Sequence, residues 1–211
     1  MGLKNFYEEK ILSRMITMAC GQDEISELRA QLIPLAQGDV FELGCGGGLN
    51  QRYYDRDKVV SFAGIDPNHT LLDGARARAA EKGWPADLRE GVGEAIPFED
   101  HRFDTVVCTY TLCSVGETDR VLSEMRRILK PGGQLLFLEH GRAPDAGPQK
   151  WQRRIEPVWK RLAGNCHLTR PVFDNVRKAG FAVEEVGSAY ADKAPRWAGW
   201  MEWGVGRKSG E

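Results

Sequence analysis

The sequence has no long apolar run that could serve as a signal peptide or a membrane-spanning helix. Charged side chains interrupt the first twenty residues at Lys4, Glu8, Glu9, Lys10 and Arg14. A membrane span needs about 20 consecutive apolar residues, and a signal peptide needs an uncharged apolar core. We therefore expect a protein that is neither exported nor anchored in a membrane, while peripheral contact with lipid stays open.

An excess of one charge is also missing. The 211 residues include 29 Lys and Arg against 30 Asp and Glu, which gives a formal net charge of -1 at pH 7. Proteins that bind nucleic acid through their overall field carry a strong positive charge. We expect no nucleic-acid partner.

Paired cysteine spacings are absent as well. The five cysteines are Cys20, Cys45, Cys108, Cys113 and Cys166, and no two of them form a C-x-x-C pattern. An odd number without such spacing argues against both a disulfide framework and a zinc site. We expect reduced thiols in a cytoplasmic protein that holds no metal.

What the chain does contain is an alternation of helical and extended patterns, in a composition typical of one soluble domain. Apolar residues at three- and four-residue steps predict two helices, which would form a helical cap over residues 1–36. Residues 37–211 would form the core, where short apolar runs alternate with helix-like segments. That alternation is typical of a mostly parallel sheet covered by helices on both faces. The tail predicts an antiparallel hairpin at the sheet edge.

The most distinctive stretch is VFELGCGGGLN, in which an apolar run ends in an acid and then breaks into glycines. A phosphate-binding P-loop needs Lys and then Ser or Thr after its last glycine, but Leu49 and Asn50 follow Gly48. A dinucleotide fingerprint, G-x-G-x-x-G, needs glycine where this chain has Leu49 or Gln51. Neither phosphate-binding pattern fits well.

Two acids near the glycines indicate a different ligand. Glu42 precedes them, where it would suit an amino group better than a phosphate. Asp66 ends the next predicted strand about 20 residues further on, the interval at which doubly wound folds place an acid on ribose hydroxyls. An amino-acid moiety, a ribose and no phosphate together describe S-adenosylmethionine. The alternative is a tight turn in which Glu42 is a surface acid and Asp66 caps a helix.

Four segments resemble, in order, the motifs of class I S-adenosylmethionine-dependent methyltransferases with a type 11 methyltransferase domain: VFELGCGGG, GIDPN, GEAIPFEDHRFDTVVC and EMRRILKPGGQLLFLEHG. The resemblance covers nearly the whole chain. It implies a Rossmann-like α/β fold with a seven-stranded sheet, mostly parallel, with a C-terminal antiparallel hairpin and helices on both faces. It also implies an enzyme that uses S-adenosylmethionine and releases S-adenosylhomocysteine.

The same resemblance implies which residues line the donor. Glu42 would lie near the amino group of the methionine portion, Asp66 on the ribose and Thr109 near the sulfonium. The other implied donor residues are Gly44, Cys45, Gly46, Gly48, Pro67, Gly93 and Glu94. Gly93 and Glu94 would lie beside adenine.

One position departs from the family's pattern. Many relatives carry Asp two residues before Glu94, where it contacts the adenine amino group, but this chain has Val92. Adenine recognition would then fall to backbone groups.

The acceptor would lie above the carboxyl ends of the strands, where Tyr110, His140 and His167 are the candidate catalytic residues. Tyr110 could contact the donor or the acceptor, or it could be a core aromatic. His140 could act as a general base or only as a structural hydrogen-bonding group, and His167 is the second candidate base. A metal site formed by Cys166, His167 and His140 lacks any familiar ligand spacing.

Two predicted helices would border the acceptor. The apolar stripe of one of them consists of Trp151, Ile155, Val158, Trp159 and Leu162, interrupted by Pro157. It could form a lid or pack on the sheet. The other, near the N-terminus, carries Phe6 and Tyr7, and in this family such a helix often folds over the donor.

Further segments resemble a bacterial subgroup related to the animal microsomal thiol S-methyltransferases: VVCTYTLCSV, EHGRAP, WQRRIEPVWKRLAGNCHLTR and WGVGRK. This resemblance implies methyl transfer to a small-molecule acceptor, with a thiol favoured. Phospholipid N-methylation and quinone C- or O-methylation are the alternatives within the family. A non-catalytic donor-binding protein and a nucleotide-dependent oxidoreductase are the alternatives from other classes. The oligomeric state is not set by the sequence.

Overall fold

The structure is a computed structural model that describes residues 22–209. Its helices are α1 (Asp23–Leu32), α2 (His69–Glu81), α3 (Thr118–Ile128), α4 (Ala146–Leu162) and α5 (Val172–Lys178), and a 3-10 turn spans Ile33–Leu35. Its strands are β1 (Gly38–Leu43), β2 (Val59–Asp66), β3 (Ala86–Glu90), β4 (Phe103–Thr109), β5 (Leu129–His140), β6 (Phe181–Tyr190) and β7 (Trp200–Lys208).

The strands form one seven-stranded sheet in the order β3-β2-β1-β4-β5-β7-β6. Strands β1 to β5 are parallel, whereas β7 runs antiparallel to both β5 and β6. The predicted mostly parallel sheet with a C-terminal hairpin is confirmed. After β1 the chain builds β2 and β3 on one side and then crosses to β4 on the other. The boundary between β1 and β4 is therefore the topological switch point, where open α/β sheets bind ligands.

Each face of the sheet buries its own apolar core. On one face, α3 and α5 cover the strands and bury Leu122 and Val176. On the other face, α1 and α2 bury Leu32 and Leu72. Strand β4 is buried along residues 105–109 and pairs with both β1 and β5. A continuous apolar run in a central parallel strand has this environment.

Helix α4 differs from the other helices, because Gln152 is the one residue among its 17 that is buried. The predicted apolar stripe faces solvent at Trp151 and Val158, whose exposed fractions are 54% and 58%. The helix continues through Pro157. Packing of these two side chains on the sheet is therefore excluded.

Part of the predicted helical cap over residues 1–36 falls within the described residues. Helix α1 and the 3-10 turn form this part, and both contribute buried side chains to the core. The first predicted helix, with Phe6 and Tyr7, lies outside the described residues. Among residues 22–209, no helix is long and apolar enough to cross a membrane.

Candidate active site

Parallel strands bring the two predicted acids and Thr109 to one edge of the sheet. In the register, Glu42 lies opposite Gly64 of β2 and Val107 of β4, so the ends of the three strands are level. Glu42, Asp66 and Thr109 are all buried there. The convergence that the sequence predicted at this edge is present in the structure.

The glycine loop folds around the end of β2. The backbone N–H groups of Gly44 and Cys45 donate to the Ile65 carbonyl at 2.9 and 3.0 Å, and Gly46 N donates to Asp66 Oδ2 at 2.9 Å. Gly44 has a φ of +67°, and a Cβ there would lie 2.1 Å from Thr111 Oγ1. Both backbone conformation and space therefore require glycine at position 44.

The glycine at position 46 leaves room for one more atom beside the Asp66 carboxylate. A Cβ on Gly46 would meet no atom closer than 3.9 Å, and Asp66 Oδ2 would lie 4.0 Å away. The φ of +49° at Gly46 directs its N–H onto that carboxylate. A ligand can approach the backbone closely at this point, and it would meet an acceptor oxygen there.

Asp66 is held by backbone groups on two sides. Oδ1 accepts from Asn68 N at 2.8 Å, and Oδ2 accepts from Gly46 N. Burial raises the pKa of this carboxyl, and the two N–H groups oppose that rise. The alternative role as a helix cap is wrong, because Asn68 caps α2 by accepting from Leu71 N at 3.1 Å.

Glu42 is a buried acid and not the surface acid of the alternative interpretation. Its exposed fraction is 2%. Oε1 accepts from Asn50 Nδ2 and Oε2 from the Tyr54 hydroxyl, both at 2.9 Å. Burial raises the pKa of Glu42 to about 7, against the opposing effect of these two donors. The carboxyl is therefore close to its ionisation point at neutral pH, and a nearby cation would favour the carboxylate.

Asn50 connects three elements at this edge. Its Nδ2 also donates to Thr109 Oγ1 at 3.0 Å, and its Oδ1 accepts from Arg29 Nε at 2.8 Å. The amide thereby joins α1, the glycine loop and β4. This network fixes the positions of Glu42 and Thr109 relative to each other.

The predicted adenine side is built around Gly93 and Glu94. A Cβ on Gly93 would lie 3.0 Å from Val121 Cγ1, so this position has little room for a side chain. Glu94 Oε1 accepts from the N–H groups of Gly116 and Glu117 at 2.9 and 3.1 Å, which fixes the start of α3. Val92 is half exposed.

A second buried acid, Glu139, holds the loop that follows β4. Its Oε1 accepts from the backbone N–H groups of Thr111 and Leu112 at 2.9 and 3.0 Å, and its Oε2 from Cys113 N at 3.2 Å. Burial raises the pKa of Glu139, and these N–H groups oppose the rise. The carboxyl thus fixes a loop that borders both the glycine loop and the expected acceptor.

Tyr110 leaves β4 in a left-handed conformation with a φ of +53°. Its N–H donates to the Leu138 carbonyl at 2.9 Å, its hydroxyl donates to Met201 Sδ at 2.6 Å, and Arg29 lies 5.9 Å from its ring centroid. A non-glycine residue in this conformation is held there by its surroundings. Tyr110 is partly buried at the carboxyl edge.

The two candidate histidine bases contact different partners. His140 Nε2 donates to the Ala198 carbonyl, and its Nδ1 lies 3.6 Å from Cys166 Sγ. His167 Nδ1 lies 3.6 Å from the Glu156 carboxylate, and burial lowers the pKa of this imidazole. Among the described residues no group of three side chains could hold a metal ion.

Comparison with known proteins identifies the family. Residues 41–137 match the model of a methyltransferase domain. Human thiol S-methyltransferase TMT1A is 32% identical over 180 residues, which cover 83% of this chain and 70% of that protein. This chain belongs to the class I S-adenosylmethionine-dependent methyltransferases. The predicted family and enzyme class are confirmed.

Rat thiol S-methyltransferase TMT1B is 39% identical to this methyltransferase over 147 residues, which cover 68% of the chain. The match spans 59% of the length of the rat protein. Among solved structures, a SAM-dependent methyltransferase from Thermotoga maritima superimposes with a TM-score of 0.69 at 21% identity. That match covers 99% of this chain and 100% of the other, and it supports the same fold.

The methyl donor of this methyltransferase is S-adenosylmethionine, and the residues at the carboxyl edge fit it. Gly46 leaves room beside the carboxylate of Asp66, which suits a ribose. Glu42 lies near its ionisation point, which suits the neighbourhood of a cationic group.

Sequence reasoning missed three residues that organise the site of this methyltransferase: Asn50, Tyr54 and Glu139. Two of them had a signal in the sequence. Asn50 is the first polar residue after the glycines, and Glu139 interrupts the apolar run of β5. Tyr54 had none, because its contact with Glu42 depends on how the loop folds.

Proposed function

We propose that this methyltransferase transfers the methyl group of S-adenosylmethionine to a small thiol. The choice of a thiol as the acceptor rests on the similarity of this chain to two thiol S-methyltransferases. His140 Nδ1 lies 3.6 Å from the sulfur of Cys166, which places this imidazole where it can interact with a thiol. A thiol acceptor needs deprotonation above all, because the thiolate is the reactive form.

The donor would be bound by the residues that meet at the switch point. Asp66 would accept from the ribose hydroxyls, and Glu42 would act on the methionine amino group through its charge, because Asn50 and Tyr54 already occupy its oxygens. The remaining donor contacts would come from Gly44, Cys45, Gly46, Gly48, Pro67, Gly93, Glu94 and Thr109. Because position 92 is Val, backbone groups of these residues would bind the adenine.

We assign the role of general base to His140. Its Nε2–H donates to the Ala198 carbonyl, which fixes the tautomer and leaves Nδ1 able to accept a proton. His167 is the second candidate, and its lowered pKa keeps the imidazole neutral near pH 7. Tyr110 would contact the acceptor or the sulfonium from the end of β4.

Catalysis would consist of alignment and proton removal. The bound donor supplies an activated methyl group on a sulfonium. The glycine loop and Asp66 would hold the donor. The loop fixed by Glu139 would limit the movement of Tyr110 next to the acceptor. His140 removes the proton of the thiol, so that the sulfur attacks in line. Alignment of this kind can lower a barrier by several kcal/mol.

A panel of acceptors tests the proposal. The purified protein is incubated with S-adenosylmethionine and, separately, with alkyl and aryl thiols, phosphatidylethanolamine and a demethylated quinone, and S-adenosylhomocysteine formation is measured. We expect turnover with the thiols. Turnover with the phospholipid or the quinone but with no thiol would show that the acceptor class is wrong while the family stands.

A further inference from the structure

Two cysteines and a histidine meet at the carboxyl edge of the sheet, outside the glycine loop. Cys113 lies in the loop after β4, His140 ends β5, and Cys166 lies between α4 and α5. The Cys113 and Cys166 thiols are close enough to change each other's pKa. Cys166 Sγ also lies 3.6 Å from His140 Nδ1. Reactive dithiol sites combine these groups: a thiolate, a neighbouring base and a second thiol.

Backbone and side-chain contacts hold the two cysteines facing each other. The N–H of His167, next to Cys166, donates to the Cys113 carbonyl at 2.7 Å. Asn165 Nδ2 donates to the Ser114 carbonyl at 2.9 Å. These two hydrogen bonds keep the segment around Cys113 in contact with the segment around Cys166, so a disulfide would join segments that are already neighbours.

The two sulfurs differ in access and in charge. Cys166 is partly exposed, whereas Cys113 is buried. The neighbouring Cys113 thiol and the His140 imidazole lower the pKa of Cys166. The Cys166 thiol, together with burial, raises the pKa of Cys113. Cys166 is thus the accessible thiolate, and Cys113 is its protonated neighbour.

We propose that Cys166 and Cys113 form a hydroperoxide-reactive site that closes to a disulfide. The Cys166 thiolate attacks one oxygen of the hydroperoxide and the O–O bond breaks, which leaves Cys166 as a sulfenic acid. The proton that the Cys166 thiol gave to His140 Nδ1 passes to the other oxygen, which leaves as water or an alcohol. Cys113 sulfur then attacks Cys166 sulfur, the S–S bond forms, and the sulfenic oxygen departs as water with the Cys113 proton. One hydroperoxide is reduced and two thiols are oxidised.

This site goes beyond the proposed methyl transfer and does not depend on the identity of the acceptor. The disulfide would join the loop after β4 to the segment after α4, because Cys113 and Cys166 belong to these two segments. It would also remove the thiol that faces His140 Nδ1. The test therefore follows thiols and disulfides and leaves methyl transfer aside.

The folded protein is treated with hydrogen peroxide at neutral pH, and free thiols are counted with time. We expect the wild type to lose two thiols per chain, at least tenfold faster than Cys166→Ser. Peptide mapping should link Cys113 to Cys166, and dithiothreitol should restore both thiols. Cys108→Ser is the matched control, because Cys108 is buried against Glu139 and burial raises its pKa. It should react like the wild type.

A second variant separates the two steps. Cys113→Ser should react as fast as the wild type but stop at the sulfenic acid of Cys166, which dimedone would trap. Equal rates of thiol loss in the wild type and Cys166→Ser would overturn the proposal. So would oxidation of wild-type Cys166 to a sulfinic acid without a link to Cys113, a result that does not depend on the folding of any variant.

Discussion

Glu42 and Asp66 are both buried acids, but different groups hold them. Backbone N–H groups hold Asp66, and side chains from the following loop hold Glu42. Backbone donors fix a carboxylate oxygen without the entropy cost of ordering another side chain. Asp66 is thereby positioned for a ligand before the ligand arrives.

The first prediction concerns Asp66→Ala. The change removes the proposed ribose acceptor and the partner of Gly46 N, and a hydrogen bond to a charged group contributes about 1.5 to 3 kcal/mol. Affinity for S-adenosylhomocysteine, measured by calorimetry, should fall by about 10- to 100-fold. Asp87→Ala, which removes a partly exposed acid on β3, should leave affinity unchanged. Unchanged affinity in Asp66→Ala would show that other residues bind the ribose.

The ionisation of Glu42 acts in opposite directions on stability and on donor binding. Its pKa is raised from an ordinary 4.5 to about 7 in the folded protein. The contribution to folding stability is therefore present below about pH 4.5 and is lost as pH rises through 7. The donor's amino group is cationic, so binding should favour the carboxylate.

The second prediction follows from that linkage. If donor binding requires ionised Glu42, affinity should be about tenfold weaker at pH 6 than at pH 8, because the pKa lies near 7. Calorimetry across this window measures the change. Glu42→Gln should flatten the profile. An equally steep profile in the variant would assign the titration to another group.

The third prediction concerns His140→Asn. Loss of the proposed base should lower the rate of thiol methylation at pH 7 by about 10²- to 10⁴-fold. Because free thiols ionise near pH 8.5, the rate should recover as pH rises. His101→Asn is the control, since His101 is exposed and borders the start of β5, at the opposite edge of the sheet. A deficit in His140→Asn that is independent of pH would argue for a structural role.

At the scale of elements, the loop after β4 depends on one acid of β5. Glu139 accepts three backbone N–H groups from Thr111, Leu112 and Cys113. Strand β5 thus positions the acceptor edge through a side chain and not only through its backbone. The loop would lose its anchor if that acceptor were replaced.

The fourth prediction is that Glu139→Gln destabilises the protein by about 1 to 3 kcal/mol, because its amide NH₂ would face N–H donors in a buried site. Urea denaturation measures the change. Glu184→Gln, on an exposed position of β6, should change stability by less than about 0.5 kcal/mol. Equal stability of the two variants would mean that the loop does not need the anion.

The alternation of apolar and polar residues was enough to predict the elements, but not every surface that they bury. Helix α3 follows its pattern, with Leu122 and Met125 buried. Helix α4 has a comparable apolar stripe, yet Trp151 and Val158 face solvent. Periodicity shows which side chains share a face, and only tertiary contacts show what covers that face.

The sequence predicted the donor edge of the candidate site but not the side-chain contacts that organise it. Glycine spacing and the two acids predicted the donor edge, because parallel strands place their ends together. The contacts of Asn50, Tyr54 and Glu139 join residues from different parts of the chain, with Glu139 reaching 26 to 28 residues back along the sequence. Their polarity marks Asn50 and Glu139 in the sequence, but the partners of all three residues follow only from the completed fold.

At the scale of the whole molecule, the topology separates two tasks. The strands on one side of the switch point carry the glycine loop and Asp66, and those on the other side carry Tyr110, Glu139 and His140. Donor binding is expected on the first side and the acceptor on the second. The proposed methyl transfer takes place at the boundary between β1 and β4.

The most direct test of this account, and its fifth prediction, follows the methyl group itself. The purified protein is given S-adenosylmethionine with a deuterated methyl group and a small aryl thiol, and the product is identified by mass spectrometry. The label should appear on the thiol sulfur, in an amount equal to the S-adenosylhomocysteine formed. An unlabelled thiol under conditions in which the protein binds S-adenosylhomocysteine would contradict the proposed function.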